Sequence, residues 1–444
     1  MLQISKVSRK ELFGWAMFDF ANSSYTTVII TIVFCNIFTG VIVGDAPDFR
    51  LGNYLWTVAL SLSYFIVLLT SPLLGAVMDF TASKKRFLFA SYILTVIATI
   101  SLFFIRPGYI IPGIILIIIS NVGFSYGEAF VSSFLPGLGP PEDLGKISGY
   151  AWGLGYFGGL TSTAIIIFVF SGNQYTIENL SNLRMVGPVT GMFFLIAAVP
   201  TFLWVKERSK PRVLPAGENY FSIGIKRLKK TFAEIRDFRD LVILLSSFFF
   251  AYAGLSIVIA FAFIYGNQVV RWEGRTEIFM FVITQFTAAG GAFLFGFIQD
   301  KWGAKKTFLL TLLLWILTIV LIYGVNKVTG FINDITGASF KCEHTFLVIG
   351  AIAGLGLGST QSACRAMVGM FSPNTKAGEF FGLWNFSNRL SAIVGLTAVG
   401  VLQAVLGLQN AVLICSVFFL IALVIAFFVN EERGKAAARK HAGE

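Results

Sequence analysis

The chain has 444 residues, of which 56% are apolar, 13% are charged and 47 are Phe. The charged share is about half that of a soluble protein, and no soluble fold has the interior to hide this much apolar surface. The net charge of +11 would admit nucleic acid as a partner, but the placement of the basic residues excludes it.

Apolar runs long enough to cross a bilayer, about 20 residues each, recur with short polar breaks. They predict helices near 14–43, 53–78, 86–105, 110–135, 145–171, 187–205, 239–265, 276–299, 305–325, 345–371, 378–405 and 409–430. With both termini cytoplasmic, most of the 34 Lys and Arg lie in cytoplasmic segments. The outer loops keep only Arg50, Arg106, Arg184, Arg271, Arg275, Lys327 and Lys341, and Arg365 and Arg389 lie within helices. That asymmetry follows the positive-inside rule and sets the expected orientation. Arg9 and Lys10 precede an apolar run too long for a cleavable signal. Cys35, Cys364 and Cys415 fall in helices and Cys342 in an outer loop, so no disulfide framework is expected.

The first helix opens with GWAMFDFANSSY, Gly14 to Tyr25. A charge inside a membrane span costs roughly 3 kcal/mol or more, so Asp19 needs a reason. At about 100° per residue, Trp15, Asn22, Ser23 and Thr26 share a side with Asp19, and Asn36 falls at its edge. The fourth helix carries a second stripe, Asn121, Ser125, Glu128 and Ser132, spaced along one face. Both stripes are expected to face something other than lipid.

Helices six and seven are separated by the longest break, residues 206–238. Its first part carries Pro211, Pro215 and Gly217 and reads as linker. Its second part is amphipathic: Phe221, Ile225, Leu228, Phe232 and Ile235 share one face, with Lys226, Arg227, Lys229 and Lys230 elsewhere. That suits a helix lying on the anionic inner leaflet; a plain solvated linker is the alternative.

The linker divides the chain six plus six, and a repeat supports the division. GAVMDFTASKK, residues 75–85, matches GFIQDKWGAKK, residues 296–306, pairing Gly75 with Gly296, Asp79 with Asp300, and Lys84 and Lys85 with Lys305 and Lys306. A second pairing aligns Pro140, Gly145 and Gly149 with Pro373, Gly378 and Gly382. It also sets Asn121, Ser125, Glu128 and Ser132 against Gly354, Gly358, Gln361 and Arg365. Helix eleven adds Asn385, Asn388 and Arg389. Duplicated halves are what a two-bundle secondary transporter is built from. The expected domains are 1–205, a six-helix bundle; 206–238, a cytoplasmic linker; 239–430, a second bundle; and 431–444, a cytoplasmic tail.

The two loops resemble the signature G-x-x-x-D-x-x-G-[KR]-[KR] of the major facilitator superfamily, the second copy through Gly303. The first departs from it, with Ala82 in place of Gly and one extra residue before the basic pair. The resemblance implies an all-α membrane fold of twelve helices in two pseudo-symmetric six-helix bundles, and a monomer. It implies that these loops latch the cytoplasmic side when the cavity faces outward. The Asp is expected to accept hydrogen bonds there, from a neighbouring helix N-terminus where negative charge is favoured. Gly14 to Tyr25, and residues 359–385 with Gln361, Arg365, Pro373 and Glu379 to Gly382, are similar to the vacuole-effluxer-like branch. That branch implies a proton-linked or facilitated exporter, whose fungal members release amino acids from the vacuole.

In such a fold helices one, four, seven and ten line a central cavity, so both stripes are expected to face it. Glu128 and Arg365 are expected to approach each other, as a gate pair or as ligands of a zwitterion. Asp19 and Glu128 are the candidates for proton coupling. Alternatives stay open: Asp19 as an interfacial carboxylate, Glu128 as a structural group, Arg365 snorkelling to the surface, and Trp15, Trp152 and Trp384 as interfacial anchors. Tyr252 and Gln285 are further cavity candidates.

The expected function is secondary transport of a small polar or zwitterionic solute, an amino acid or short peptide, in a bacterial inner membrane. The expected partners are that solute, a proton or other coupling ion, and anionic lipid. An exporter of amphipathic compounds and a non-transporting receptor are the rivals. Enzyme chemistry is not expected. His344 and His441 form no metal spacing, no nucleophile–base pair is present, and GLGLGS at Gly354 to Ser359 reads as helix packing. No cofactor is implied.

Overall fold

The computed structural model describes residues 7–44, 50–170, 178–273 and 275–441. Among them the chain is helical and contains no strand. Eleven helical segments are long and apolar enough to cross a membrane. We label them and one further long helix in chain order. The first six are α1 (Arg9–Ser24, its span running on to Val43), α2 (Arg50–Thr81), α3 (Lys84–Ser101), α4 (Ile110–Ser132), α5 (Leu144–Phe170) and α6 (Leu180–Trp204). The second six are α7 (Arg239–Tyr265), α8 (Thr276–Trp302), α9 (Ala304–Tyr323), α10 (Cys342–Phe371), α11 (Ala377–Leu406) and α12 (Leu408–Phe427). The thirty-residue α11 is the one outside the eleven.

Three helices lie between or after these. A linker helix covers Tyr220–Ala233, and a helix between α9 and α10 covers Val325–Thr336. A tail helix, Glu431–Lys440, covers most of the expected tail, whose last residues, 442–444, lie outside the described residues.

The span beginning at α1 is not a regular α-helix throughout. Tyr25–Ile32 and Phe38–Val43 are π-helical, separated by Val33 and a short α-turn, Phe34–Ile37. Polar side chains there bond back to their own backbone. Thr31 donates to the Thr26 carbonyl five residues earlier at 2.9 Å, and Asn36 Nδ2 to the Ile32 carbonyl at 2.7 Å. Such bonds compete with the helical ladder. The regular projection therefore describes Arg9–Ser24 only. It does not place Asn36, which is exposed and tied to its own helix.

The chain divides into two compact units. The first comprises Met1–Gly139, Leu154–Thr231 and Asn374–Phe386; the second comprises Pro140–Gly153, Phe232–Pro373 and Ser387–Glu444. The first therefore contains the opening turns of α11, and the second contains those of α5.

In the first unit α4 packs on α2 and α3, and α1 packs on α6. Trp15 is its buried anchor, and its Nε1 donates to the Val131 carbonyl of α4 at 2.7 Å. Trp15 thus joins two helices and is not an interfacial anchor. In the second unit α8 packs on α10, and α12 on α7 and α9. Trp315 plays the corresponding part, stacked on Phe419 with ring centres 5.3 Å apart and donating to Thr360 Oγ1 at 3.0 Å. Lipid supplies no hydrophobic drive between helices, so close packing and such hydrogen bonds hold them together.

Candidate gates and polar interior

Asp79 lies in the last turn of α2. Its Oδ2 accepts the backbone N–H of Glu379, the third residue of α11, at 2.9 Å. Lys84 Nζ stands 3.8 Å from its Oδ1 and donates to the Ser133 carbonyl at 3.0 Å. In the second unit Asp300 Oδ2 accepts the backbone N–H of Lys146, the third residue of α5, at 3.1 Å. Each aspartate thus sits at a helix N-terminus, where the unpaired amides and the dipole favour negative charge by about 1 kcal/mol, up to about 2 when partly buried.

Glycine makes the approach possible. A methyl group at Gly75 would strike the carbonyl oxygen of Gly378, and one at Gly296 would meet that of Gly145. The glycines of one repeated motif therefore meet those of the other, Gly75 against Gly378 in the first unit and Gly296 against Gly145 in the second.

The two loops turn differently. Gly303 takes φ +100°, whereas Ala82 takes φ +48°, a left-handed conformation that costs a residue with a Cβ about 1 kcal/mol. The extra residue of the first loop also shifts the repeat. Lys85 donates its backbone N–H to Glu207 Oε2 at 3.2 Å and its Nζ to the Val205 carbonyl at 2.9 Å. Lys305 does the same with Glu431 Oε2 at 3.0 Å and the Phe427 carbonyl at 2.7 Å. Lys85 thus corresponds to Lys305, not to Lys306, which is exposed.

These contacts belong to a second repeated arrangement that the sequence reading missed. Glu207 and Glu431 brace the starts of α3 and α9. Beside them, Glu11 accepts Arg208 Nη1 and Nη2 at 2.6 and 2.7 Å and the Lys206 amide at 3.1 Å. Asp240 accepts Arg433 Nε and Nη2 at 2.5 and 2.9 Å and the Asn430 amide at 2.8 Å. The available signal was Glu-Arg at 207–208 and again at 432–433, each just after the last span of a half. Burial alone would push the Glu431 carboxyl up, but the Lys305 amide and the Lys435 ammonium together hold it below the ordinary carboxylate value.

The interior of the first unit is polar along α1, α2 and α4. Asn121 Nδ2 donates to Ser63 Oγ at 2.5 Å. Asn385, on the part of α11 that belongs to this unit, donates to Ser71 Oγ at 3.3 Å and to the Ser125 carbonyl at 3.1 Å. Asn121 and Asn385 are thus committed to helix–helix bonds. Ser132 is buried, Asp19, Ser23 and Glu128 are half-buried, and Ser23 Oγ donates to the Asp19 carbonyl at 2.8 Å. The side-chain oxygens of Asn22 and Ser125 are buried without a hydrogen-bond partner.

The second unit holds Arg365. Its residue is 2% exposed, so the guanidinium does not run out to the surface as snorkelling would require. Nε donates to Ser148 Oγ and Nη2 to the Ser148 carbonyl, both at 3.1 Å, and the group stands over the Trp152 ring, 5.2 Å from its centre. Ser148 Oγ donates in turn to the Ser362 carbonyl at 2.9 Å. Gln361, Asn388 and Arg389 are half-buried, and Ser362 Oγ and Asn388 Oδ1 are buried without a hydrogen-bond partner. Such orphaned polar atoms are costly in a protein interior. Among the described residues no three His, Cys, Asp or Glu side chains are grouped to hold a metal ion.

An all-helical fold of this kind, with its long apolar spans and polar interior, is that of a major facilitator transporter. Solved structures agree on the fold. The proton:xylose symporter XylE superposes with a TM-score of 0.69 at 13% identity, covering 96% of each chain. A bacterial homologue of the iron transporter ferroportin, in an outward-facing state, gives 0.68 at 14% identity, covering 94% of this chain and 98% of that one. The family model described as "Vacuole effluxer Atg22 like" matches residues 54–439, and the chain belongs to that family. An uncharacterized MFS-type transporter, YxiO of Bacillus subtilis, is 24% identical over 429 residues, 95% of each chain. Autophagy-related protein 22-1 of Penicillium rubens is 24% identical over 334 residues, 69% of this chain and 55% of that protein. The chain is thus an integral, multi-pass membrane transporter, and its relatives and structural neighbours are transporters, not enzymes.

Proposed function

We propose that the protein exports a small zwitterionic solute, an amino acid or short peptide, across a bacterial inner membrane by proton-linked alternating access. Arg365 carries this reading. A desolvated guanidinium inside a membrane protein costs several kcal/mol (roughly) unless it is partnered and used. Held by Ser148 and Trp152, it is oriented to receive a carboxylate in the bidentate manner Arg favours. Asn22, Ser125, Ser362 and Asn388 would supply the neutral hydrogen bonds, with Gln361 and Arg389 beside them.

Asp19 and Glu128 would meet the ammonium group and take up the coupling proton. Residues 1–205 and 239–430 would act as the two bundles, in a monomer with both termini cytoplasmic. The loops with Gly75, Asp79 and Lys84, and with Gly296, Asp300 and Lys305, would latch the cytoplasmic side. The basic linker would rest on anionic lipid. Export is favoured by the family description, a vacuole effluxer.

The test is a thermal-shift screen of purified protein with amino acids, dipeptides, sugars and lysolipids. A ligand that binds the folded state raises its apparent stability. Stabilisation by an amino acid or dipeptide, lost in Arg365→Ala, is the expected result. Stabilisation by lysolipids alone would replace this reading with an amphipath exporter.

A further inference from the structure

The linker helix has three faces where the sequence suggested two. Ile223, Gly224 and Thr231 are buried and Arg227 is half-buried on the same side. Gly224 lies against Leu73 and Val77 of α2. Arg227 Nε donates to Glu379 Oε1 at 2.6 Å and its Nη2 to the Thr375 carbonyl at 3.1 Å; Thr231 Oγ1 donates to Glu379 Oε2 at 2.6 Å. Arg227 therefore turns inward, away from the lysines with which its position in the sequence groups it. The apolar flank keeps Phe221 and Phe232 exposed, and the opposite flank exposes Lys226, Lys229 and Lys230, with Lys226 bridged to Glu218 at 2.6 Å.

Glu379 is the joint. Its carboxylate is fully buried and held by the linker helix, while its backbone N–H is held by Asp79. One residue thus receives the α2 gate from one side and the linker from the other. Because the linker helix also lies on α2, it straps α2 to the start of α11. Any opening between these two helices must break the Arg227 and Thr231 bonds as well as the Asp79 bond.

We propose that the linker helix is a lipid-reading clasp: its exposed lysines and phenylalanines dock on an anionic phospholipid surface, and its Arg227 and Thr231 face then holds Glu379 and keeps the Asp79 gate shut. The proposal rests on the reading of Asp79 as a gate. The partner follows from chemistry. Exposed lysines beside exposed aromatic side chains match a layer of anionic headgroups over acyl chains. Anionic lipid fixes the helix in place and so favours the closed gate.

The test is hydrogen–deuterium exchange of the full chain in nanodiscs, read at peptides covering residues 374–386. Discs of phosphatidylcholine alone are compared with discs containing phosphatidylglycerol. Exchange there reports local opening. Phosphatidylglycerol is expected to slow it about tenfold, a population shift of about one decade. Replacing Lys226, Lys229 and Lys230 with Gln is expected to remove that lipid effect and to leave exchange in phosphatidylcholine unchanged. Arg227→Gln and Thr231→Val are expected to speed exchange in both lipids.

Equal exchange of the wild type in the two lipids overturns the lipid partner. Unchanged exchange in both Arg227→Gln and Thr231→Val overturns the clasp. Asp79→Asn separates the two readings: if it leaves exchange unchanged while Arg227→Gln speeds it, the gate fails and the clasp stands.

Discussion

The two candidate gates, at Asp79 and Asp300, share a backbone geometry and differ in what surrounds it. Asp79 and Asp300 each accept the third amide of a helix, and each approach needs a pair of glycines. At the residue that donates that amide they diverge. The first gate has Glu379, fully buried and tied to the linker helix by Arg227 and Thr231. The second has Lys146, whose side chain is 36% exposed and bonded to Asp143 in the preceding turn. The helix-capping chemistry, which depends on one carboxylate and two glycines, is the same at both. The side chain of the donor differs, and among the described residues it is Glu379, not Lys146, that is bonded to the linker helix.

The two sites are expected to differ most at that side chain. Removing one partner of a buried ion pair leaves an uncompensated charge and costs about 3 kcal/mol or more, whereas an exposed pair contributes about 1 kcal/mol or less. Arg227→Gln is therefore expected to lower the thermal midpoint clearly and Lys146→Gln hardly at all. Equal shifts would mean that the strap adds nothing. A smaller effect is expected from the glycines. Gly75→Ala places its Cβ closer to a carbonyl oxygen than Gly296→Ala does. With overpacking costing about 1–3 kcal/mol, Gly75→Ala should shift exchange at residues 374–386 more than Gly296→Ala shifts it at 141–149.

Smaller again is Ala82→Gly. It relieves the left-handed strain but adds freedom to the unfolded chain, so a gain of up to about 1 kcal/mol is expected, readable by denaturant or thermal unfolding. The smallest effect concerns the tail helix. The depressed Glu431 carboxyl contributes stability that is fully present above its ordinary value of 4.5 and is lost as pH falls through the lower folded value. Exchange at the start of α9 should rise only below about pH 4.5, and Glu431→Gln should flatten that profile.

Much of this was legible in the sequence. The long helices, the linker and the loop repeat follow from apolar run lengths and from paired Gly and Asp residues, whose roles are set by local chemistry. What escaped depends on tertiary context. Arg227 belongs to the basic run by composition, and only the position of Glu379 draws it inward. The span beyond Ser24 leaves α-helical geometry at Tyr25–Ile32 and Phe38–Val43, so a fixed angular projection could not place Asn36. The Glu207 and Glu431 braces are single residues after the last spans and form no motif until α3 and α9 are folded beside them. Asn121 and Asn385 read as cavity residues by their helix positions, yet their amides are used in packing.

The most direct test of the account is transport itself. Proteoliposomes holding the purified protein would be loaded with a mixture of amino acids and dipeptides, given a proton gradient, and their effluent analysed by mass spectrometry. Gradient-driven release of one amino acid or a small related set is expected, abolished by Glu128→Gln and by Arg365→Ala. Release that both variants leave intact, or movement of lysolipids with no amino acid or dipeptide, would contradict it.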